Sequence, residues 1–411
     1  LRRIVQYSGR LADPDAREKL PELLSAAEEA RGSIEQLRAV EGGQSDFWML
    51  LATPCGTRGE DVVTAGTLAL TMQSLARAYD GQGGVRIEPW LSASAMGLLA
   101  HAGAAGASET PVQQAERVAE ALARTLLTPG PPPGAIVRSR EELLESLGDD
   151  PTPGYWLALT QSTASHPSWL EPRGTWESLT NVGAHSVQLQ RTGFVRGRLR
   201  LASIGNYASE QIDAGEARLR ALLDIAAPGS AECPPALRSR SLAGTYRLET
   251  RERSGASAVL AMSVPTSAAG VAEELRWTEL LLNRTGGWLE QALLEPGLVS
   301  SARAHALGGA DAAALVIEVR AVDERMDQAV AQVRGLLARL RAGAATEGDA
   351  ARARDYFARF QAQRQLDPRQ RIVELWRGSE APSGTLEGMR RLHQALLDPE
   401  REVIVITTGG Q

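Results

Sequence analysis

Five histidines and two cysteines are the side chains of this sequence best suited to metal binding or nucleophilic chemistry. A zinc site needs three or four such donors brought together, and a helix often supplies two of them from one face. None of the five histidines has a second histidine or a carboxylate at that spacing: His101, His166, His185, His305 and His393. They are interpreted as structural or surface residues.

The two cysteines and the single lysine argue against metal-binding, redox and phosphate-binding motifs. Cys55 and Cys233 have no metal-binding or redox spacing, so two buried thiols are favoured, and a disulfide between them is the alternative. A phosphate-binding loop needs a lysine after its glycines, and Lys19 is the only lysine in the chain. The Gly-x-Ser-x-Gly motif of serine hydrolases is absent as well. An enzyme of one of these classes is therefore the least favoured hypothesis.

Residues 47–77 are the stretch in which the chain is best able to position functional groups. An apolar run is followed by a turn at 56–60 that carries glycine and charge, and then by a segment with helical apolar spacing. This pattern predicts a strand, a turn and a helix. Many enzymes hold functional residues at such a connection, because the first turn of the helix is fixed against the sheet.

The same stretch resembles the M16 zinc peptidases, the superfamily of insulinase and mitochondrial processing peptidase. Its members have a strand, a Gly-Ser-Arg-x-Glu turn and a helix that opens with Ala-Gly. The sequence Gly-Thr-Arg-Gly-Glu at 56–60 matches the turn, and Ala65 and Gly66 match the helix opening. The family helix carries His-x-x-Glu-His, and these three positions fall on Ala69, Met72 and Gln73. None of these side chains can bind zinc strongly or act as a base.

The third zinc ligand of the family, a glutamate, falls on Ser146, with Glu145 one residue away. One carboxylate without its histidines is not a metal site. The resemblance therefore implies a catalytically inactive member of the superfamily, with no metal of its own.

Later motifs extend the resemblance over most of the chain after residue 46. His166 and the following proline resemble the family's His-Pro loop, and residues 174–178 match its Gly-Thr-x-Glu-Ser sequence before a helix. The last predicted helix, the Asp-Pro-Glu turn at 398–400 and the final strand resemble the end of the family's second domain. Each motif is weak alone, but their order and spacing together indicate membership.

A second functional feature of the family, a pair of side chains that bind the substrate carbonyl, is also missing. In two-chain members, the non-catalytic subunit supplies an arginine and a tyrosine that hold the substrate carbonyl. These positions fall on Leu293 and Ser300, so the pair is absent. The resemblance instead implies substrate contact through the backbone of an edge strand, by strand addition at Val299, Ser300, Ser301 and Ala302.

The chain has 411 residues, of which 43% are hydrophobic, and a formal net charge of −6. Its acidic balance and dispersed arginines argue against a nucleic-acid-binding surface. No window approaches the ~18 consecutive apolar residues of a membrane span. The bias toward arginine, alanine and glycine is typical of a G+C-rich bacterial genome, and it leaves cytoplasm and periplasm open.

A Pro-rich stretch at 226–240 separates two halves with the same order of predicted elements. This repeat predicts an α+β protein of two homologous domains, 1–228 and 229–411, each a mostly antiparallel sheet with helices on one face. Residues 1–45 form a lead-in, and apolar spacing over 20–40 predicts a helix there. The resemblance implies the M16 peptidase-like fold, also called the LuxS/MPP-like metallohydrolase fold.

Two functional hypotheses follow from the resemblance. The first is a non-catalytic subunit that pairs with a zinc-bearing M16 chain and helps to enclose a peptide substrate. The second is an inactive scaffold or binding protein, because core subunits of respiratory complexes resemble these peptidases without acting as such. Zinc is expected in the partner chain under the first hypothesis only.

Overall fold

A computed structural model describes most of the chain after residue 32. The described ranges are 33–40, 46–60, 63–92, 95–103, 109–127, 130–148, 154–162, 171–195, 197–205, 209–224, 242–250, 255–265, 271–308, 312–364, 366–377 and 385–409. The first 32 residues of the predicted lead-in, the His-Pro loop at His166 and the predicted boundary at 228/229 lie outside these ranges.

The described strands form two five-stranded sheets. The first sheet contains β1 (Ser33–Val40), β2 (Phe47–Thr53), β3 (Arg86–Ser92), β4 (Ala95–Ala102) and β5 (Arg198–Gly205). The second contains β6 (Gly244–Thr250), β7 (Ala256–Pro265), β8 (Ser301–Gly308), β9 (Ala312–Ala321) and β10 (Val403–Gly409).

Twelve α-helices lie in the described ranges. They are α1 (Thr67–Tyr79), α2 (Pro111–Leu127), α3 (Pro133–Gly148), α4 (Tyr155–Ser162), α5 (Trp176–Asn181), α6 (Ala184–Val195), α7 (Ser209–Leu222), α8 (Val271–Asn283), α9 (Asp323–Arg341), α10 (Glu347–Arg364), α11 (Pro368–Arg377) and α12 (Leu386–Leu396). In this part of the chain, no helix combines the length and apolarity needed to cross a bilayer.

The two sheets have the same topology, which confirms the predicted repeat. Their orders are β1-β5-β2-β4-β3 and β6-β10-β7-β9-β8, so each strand of the second sheet has its counterpart five strands earlier. The pairs β1/β5 and β6/β10 are parallel, and the remaining pairs are antiparallel. The predicted fold class, α+β with two mostly antiparallel sheets packed by helices, is therefore correct.

The prediction that helices cover one face of each sheet is wrong, because both faces are covered. In β2, Phe47, Met49 and Leu51 join the core under the larger group of helices, whereas Trp48 and Leu50 point to the opposite face and pack against α11. A strand buried on both faces reads as a continuous apolar run instead of an alternating one. The sequence FWMLLA of β2 has this property.

Each helix on the second face comes from the other half of the sequence. The first compact unit contains Leu1–Asp149, Leu170–Pro234 and Gln365–Ser379, and the second contains Asp150–Trp169, Pro235–Arg364 and Glu380–Gln411. Helix α11 thus covers the first sheet, and α4 covers the second. Within the first unit, the Trp376 indole donates to the Arg200 carbonyl at 2.8 Å, and the Arg200 guanidinium donates back to the Trp376 carbonyl at 3.1 Å.

The helix predicted over residues 20–40 is wrong in its described part. Ser33–Val40 is strand β1, which pairs in parallel with β5 from Ser33 opposite Arg198 to Val40 opposite Gly205. Ile34 and Leu37 have helical spacing by sequence, but local spacing over eight residues is a weak signal compared with a continuous ladder to a distant strand.

Candidate functional site

The positions that correspond to the family's zinc motif lie on α1 and carry no metal donor. Ala69 and Met72 are fully buried in the apolar core of the first unit. The Gln73 side-chain amide donates to Glu142 on α3 at 2.9 Å, and Arg77 forms an ion pair with the same carboxylate. A hydrogen bond and an ion pair therefore connect the two helices that a zinc ion would join in the family.

At the third ligand position, the side chain and the backbone of Ser146 are also used in hydrogen bonds within the protein. The Ser146 hydroxyl donates to the Leu143 carbonyl of its own helix at 2.7 Å, so it is already used locally. The Ser146 carbonyl accepts a hydrogen bond from Arg173 at 2.7 Å, and Glu171 holds that guanidinium at 2.8 Å. Glu145 is exposed. The guanidinium of Arg173 has no lone pair for a metal ion, so it adds no ligand beside the third position.

These residues do not fit a zinc ion. Zinc sites in proteins use imidazole, thiolate or carboxylate ligands in a tetrahedral set. Within the described ranges, no group of three or more histidine, cysteine, aspartate or glutamate side chains lies close enough to hold a metal. Sequence reasoning identified the motif positions but did not anticipate Arg173 and Glu171, which have no counterpart among the motifs used.

The turn before α1 nevertheless keeps a well-built support for the helix. Glu60 is almost completely buried, and its carboxylate accepts from the Gly66 N–H at 3.0 Å and from the Leu68 N–H at 2.7 Å. Both N–H groups belong to the helix start, where a negative charge also interacts favourably with the helix dipole. The glutamate of the family-like turn thus has a structural role here.

Two of the motifs that support the resemblance meet at a pair of glycines. A Cβ atom added to Gly66 would lie 2.5 Å from the Arg173 carbonyl oxygen and 2.6 Å from the Gly174 Cα. Gly174 leads into α5, where Thr175 and Ser178 form a reciprocal capping box. The helix that follows Thr175 ends at Asn181, and α6 begins at Ala184. These two glycines therefore serve close backbone packing next to the helix that carries Ala69, Met72 and Gln73.

Cys55, just before this turn, is disulfide-bonded, which corrects the expectation of two free thiols. The other cysteine of the chain is Cys233, which lies outside the described residues. Two cysteines in the sequence are compatible with either state, and local spacing does not distinguish them.

The residues predicted to contact substrate lie at the start of an edge strand. Strand β8 begins at Ser301, so Val299 and Ser300 precede it, and only Ser301 and Ala302 are strand residues. Val299 is buried, whereas Ser300 and Ser301 are exposed. Leu293, at the position of the family arginine, is fully buried. The four residues thus form the entry into the edge strand β8.

Comparison with known proteins gives structural neighbours and no sequence match. No family model and no curated protein matches this sequence. A chain of Complex III2 from Candida albicans is similar with a TM-score of 0.71 and 16% identity, over 92% of this chain and 93% of that one. The peptidase M16 inactive domain from Pseudomonas fluorescens gives 0.70 and 15%, over 94% and 97%.

A protease from Helicobacter pylori is also similar, with a TM-score of 0.71 at 12% identity, over 91% of this chain and 96% of that one. Identities at this level show a common fold, and function has to be argued from the site. The site described above lacks every zinc donor of the family motif. The chain is therefore a protein of the M16 peptidase-like fold, and the residues aligned by sequence with the family's zinc motif are apolar or hydrogen-bonded side chains.

Proposed function

We propose that this chain is the non-catalytic subunit of a two-chain zinc peptidase of M16 type. One observation carries the proposal. Glu60 accepts a hydrogen bond from the start of α1, and Gly66 lies in close contact with Gly174, as the family motifs would require, but the positions of the zinc motif hold Ala69, Met72 and the hydrogen-bonded Gln73. A separate chain with His-x-x-Glu-His would supply the zinc and the base, and this chain would form part of the wall of the peptide chamber.

The neighbours support both this proposal and its alternative. One of them is described as a peptidase M16 inactive domain, and another is a chain of Complex III2. The alternative, an inactive scaffold or binding protein, is favoured by the coverage of both faces of each sheet, because a covered face offers less surface to a peptide. The two functions differ in whether a catalytic M16 chain depends on this one.

Co-expression with a candidate M16 chain that contains His-x-x-Glu-His tests that dependence. We expect the two chains to elute together and to cleave a fluorogenic peptide mixture, whereas either chain alone is inactive. Gln73→Ala in this chain should leave the activity of the pair unchanged, and Glu→Gln in the partner's motif should abolish it. Separate elution together with full activity of the catalytic chain alone would favour the scaffold function.

A second measurement addresses the metal directly. We expect elemental analysis of the purified chain, after exchange into a zinc-containing buffer and desalting, to give far less than one zinc per chain. The physical reason is that an alanine and a glutamine, Ala69 and Gln73, cannot replace two imidazoles. One stoichiometric zinc that survives desalting would contradict the assignment of Ala69, Met72 and Gln73 to the three positions of the zinc motif.

A further inference from the structure

The outer side of β8 is occupied by side chains of the helix that precedes it. Strand β8 forms one edge of the second sheet, and its ladder partner is β9. In an edge strand, every second residue directs its backbone N–H and C=O away from the sheet. Such groups are the template to which an extended peptide or another chain can add. Helix α8 lies against these groups in β8.

Asn283, the last residue of α8, makes both backbone hydrogen bonds of one outward residue. The Ala304 N–H donates to Asn283 Oδ1 at 2.7 Å, and Asn283 Nδ2 donates to the Ala304 carbonyl at 2.7 Å. An antiparallel strand added at this edge would make the same pair of hydrogen bonds with Ala304. The carboxamide of Asn283 therefore occupies the position of one residue of an added peptide.

The backbone N–H of the next outward residue, Ala306, also forms a hydrogen bond with a side chain of α8. Glu279 lies one turn before Asn283, and its carboxylate accepts a hydrogen bond from the Ala306 N–H. Residues four apart lie on one face of a helix, and outward groups of a strand recur every second residue. The N–H groups of two successive outward residues of β8 are thus bonded by side chains from two consecutive turns of α8.

The first unit has the same arrangement at the corresponding place. Strand β3 is an edge strand, and the Ile87 N–H donates to the carboxylate of Asp80, directly after α1, at 2.9 Å. The next outward residue is Pro89, which has no N–H to offer. In both units, a side chain at the C-terminal end of the helix before the edge strand caps that strand. Because this contact occurs in both units, we interpret the capping of the edge strand as a repeated feature of the fold and not as an isolated contact.

We propose that Asn283 is a latch on the β8 edge: an extended peptide pairs with β8 only after the Asn283 carboxamide has left Ala304. The proposal rests on the proposed function for the nature of the occupant, a peptide in extended conformation. The side chain of Ala304 is buried in the core of the second unit, and those of Ala302 and Ala306 pack against the same core, so recognition along this line would come from the backbone. Arg303, which is exposed and lies opposite Glu318 in the β9 register, would favour an acidic residue beside it.

The test compares the wild-type chain with Asn283→Ala. The probe is a fluorescein-labelled peptide with the sequence of residues 312–321, an extended segment of the native sheet that carries Glu318, the residue opposite Arg303. Each capping hydrogen bond is worth about 1 kcal/mol, so its loss on both groups should tighten binding by about 10-fold or more in fluorescence anisotropy. Asn181→Ala is the matched control, because the Asn181 amide donates to a carbonyl of its own helix at 2.9 Å.

Amide hydrogen exchange is a second measurement of the same contact, and it does not depend on the peptide probe. We expect the Ala304 amide to exchange about 10-fold faster or more in Asn283→Ala, while the amides of β9 keep their protection. Asn283→Asp, which keeps the acceptor and the shape but loses the donor, should give an intermediate affinity if the alanine variant does not fold. Equal peptide affinity in wild type and both variants would overturn the latch. Because the assay needs no catalytic chain, its failure is distinct from failure of the proposed pairing.

Discussion

Replacing Gly66 with alanine is expected to lower the free energy of unfolding by about 3 to 5 kcal/mol, from a strained backbone plus a backbone clash. Gly66 has φ +80°, a left-handed conformation that L-residues adopt at a cost. Its added Cβ would also lie 2.5 Å from the Arg173 carbonyl oxygen, which is held by the start of α5 and cannot move independently. Urea unfolding followed by circular dichroism measures the change.

Gly81→Ala is the matched control for this substitution. Gly81 has a similar φ of +77°, but an added Cβ would meet nothing within 4 Å. The control should therefore lose only the conformational part, about 1 to 2 kcal/mol. If the two variants are equally stable, the close contact between Gly66 and the segment before α5 is not a constraint, and the structural interpretation of the Ala-Gly motif is wrong.

Acidification is expected to destabilise the second unit through His393. This histidine is fully buried on α12, its Nε2 lies 2.8 Å from the Thr278 hydroxyl oxygen, and burial lowers its pKa to about 4. The unfolded chain has a histidine pKa of about 6.5 and binds the proton earlier. Stability contributed by the neutral ring is therefore fully present above pH 6.5 and is lost as the pH falls toward 4, by about 3 kcal/mol in total.

The measurement is the free energy of unfolding of wild type and His393→Gln between pH 7.5 and 4. The glutamine variant should lose about 3 kcal/mol less over this range, because titration of carboxylates is common to both proteins. His185→Gln, at an exposed position at the start of α6, is the control and should follow the wild type. Parallel curves for all three proteins would show that His393 is protonated without loss of the fold.

Much of the fold was predictable because local signals and long-range packing agree. The apolar run of β2 and the helical spacing of α1 follow from periodicity alone. The helix caps at Thr110 and Thr346 are local in the same way, because each forms hydrogen bonds with the residue three positions later. These features depend on neighbouring residues, which a single sequence contains.

The parts that sequence reasoning missed depend on distant segments. Strand β1 is defined by its ladder to β5, and α4 and α11 were not assigned a role because each packs on a sheet from the other half of the sequence. At the site, the alignment of Ala69, Met72 and Gln73 with the zinc motif stays a prediction, and none of the three side chains is an imidazole, thiolate or carboxylate ligand. The edge contact of Asn283 was not foreseen, because a helix-terminal asparagine has many local uses in turns and caps.

The position of α11 in the sequence has a consequence for biosynthesis. The first sheet needs α11 to cover Trp48 and Leu50, but α11 ends at Arg377, near the end of the 411-residue chain. Domains usually fold as they leave the ribosome, N-terminal domain first. Here the first unit exposes an apolar sheet face until almost the whole polypeptide has been translated. Chaperone binding to the nascent chain should therefore persist until synthesis passes residue 377, and a fragment that ends before α11 should aggregate.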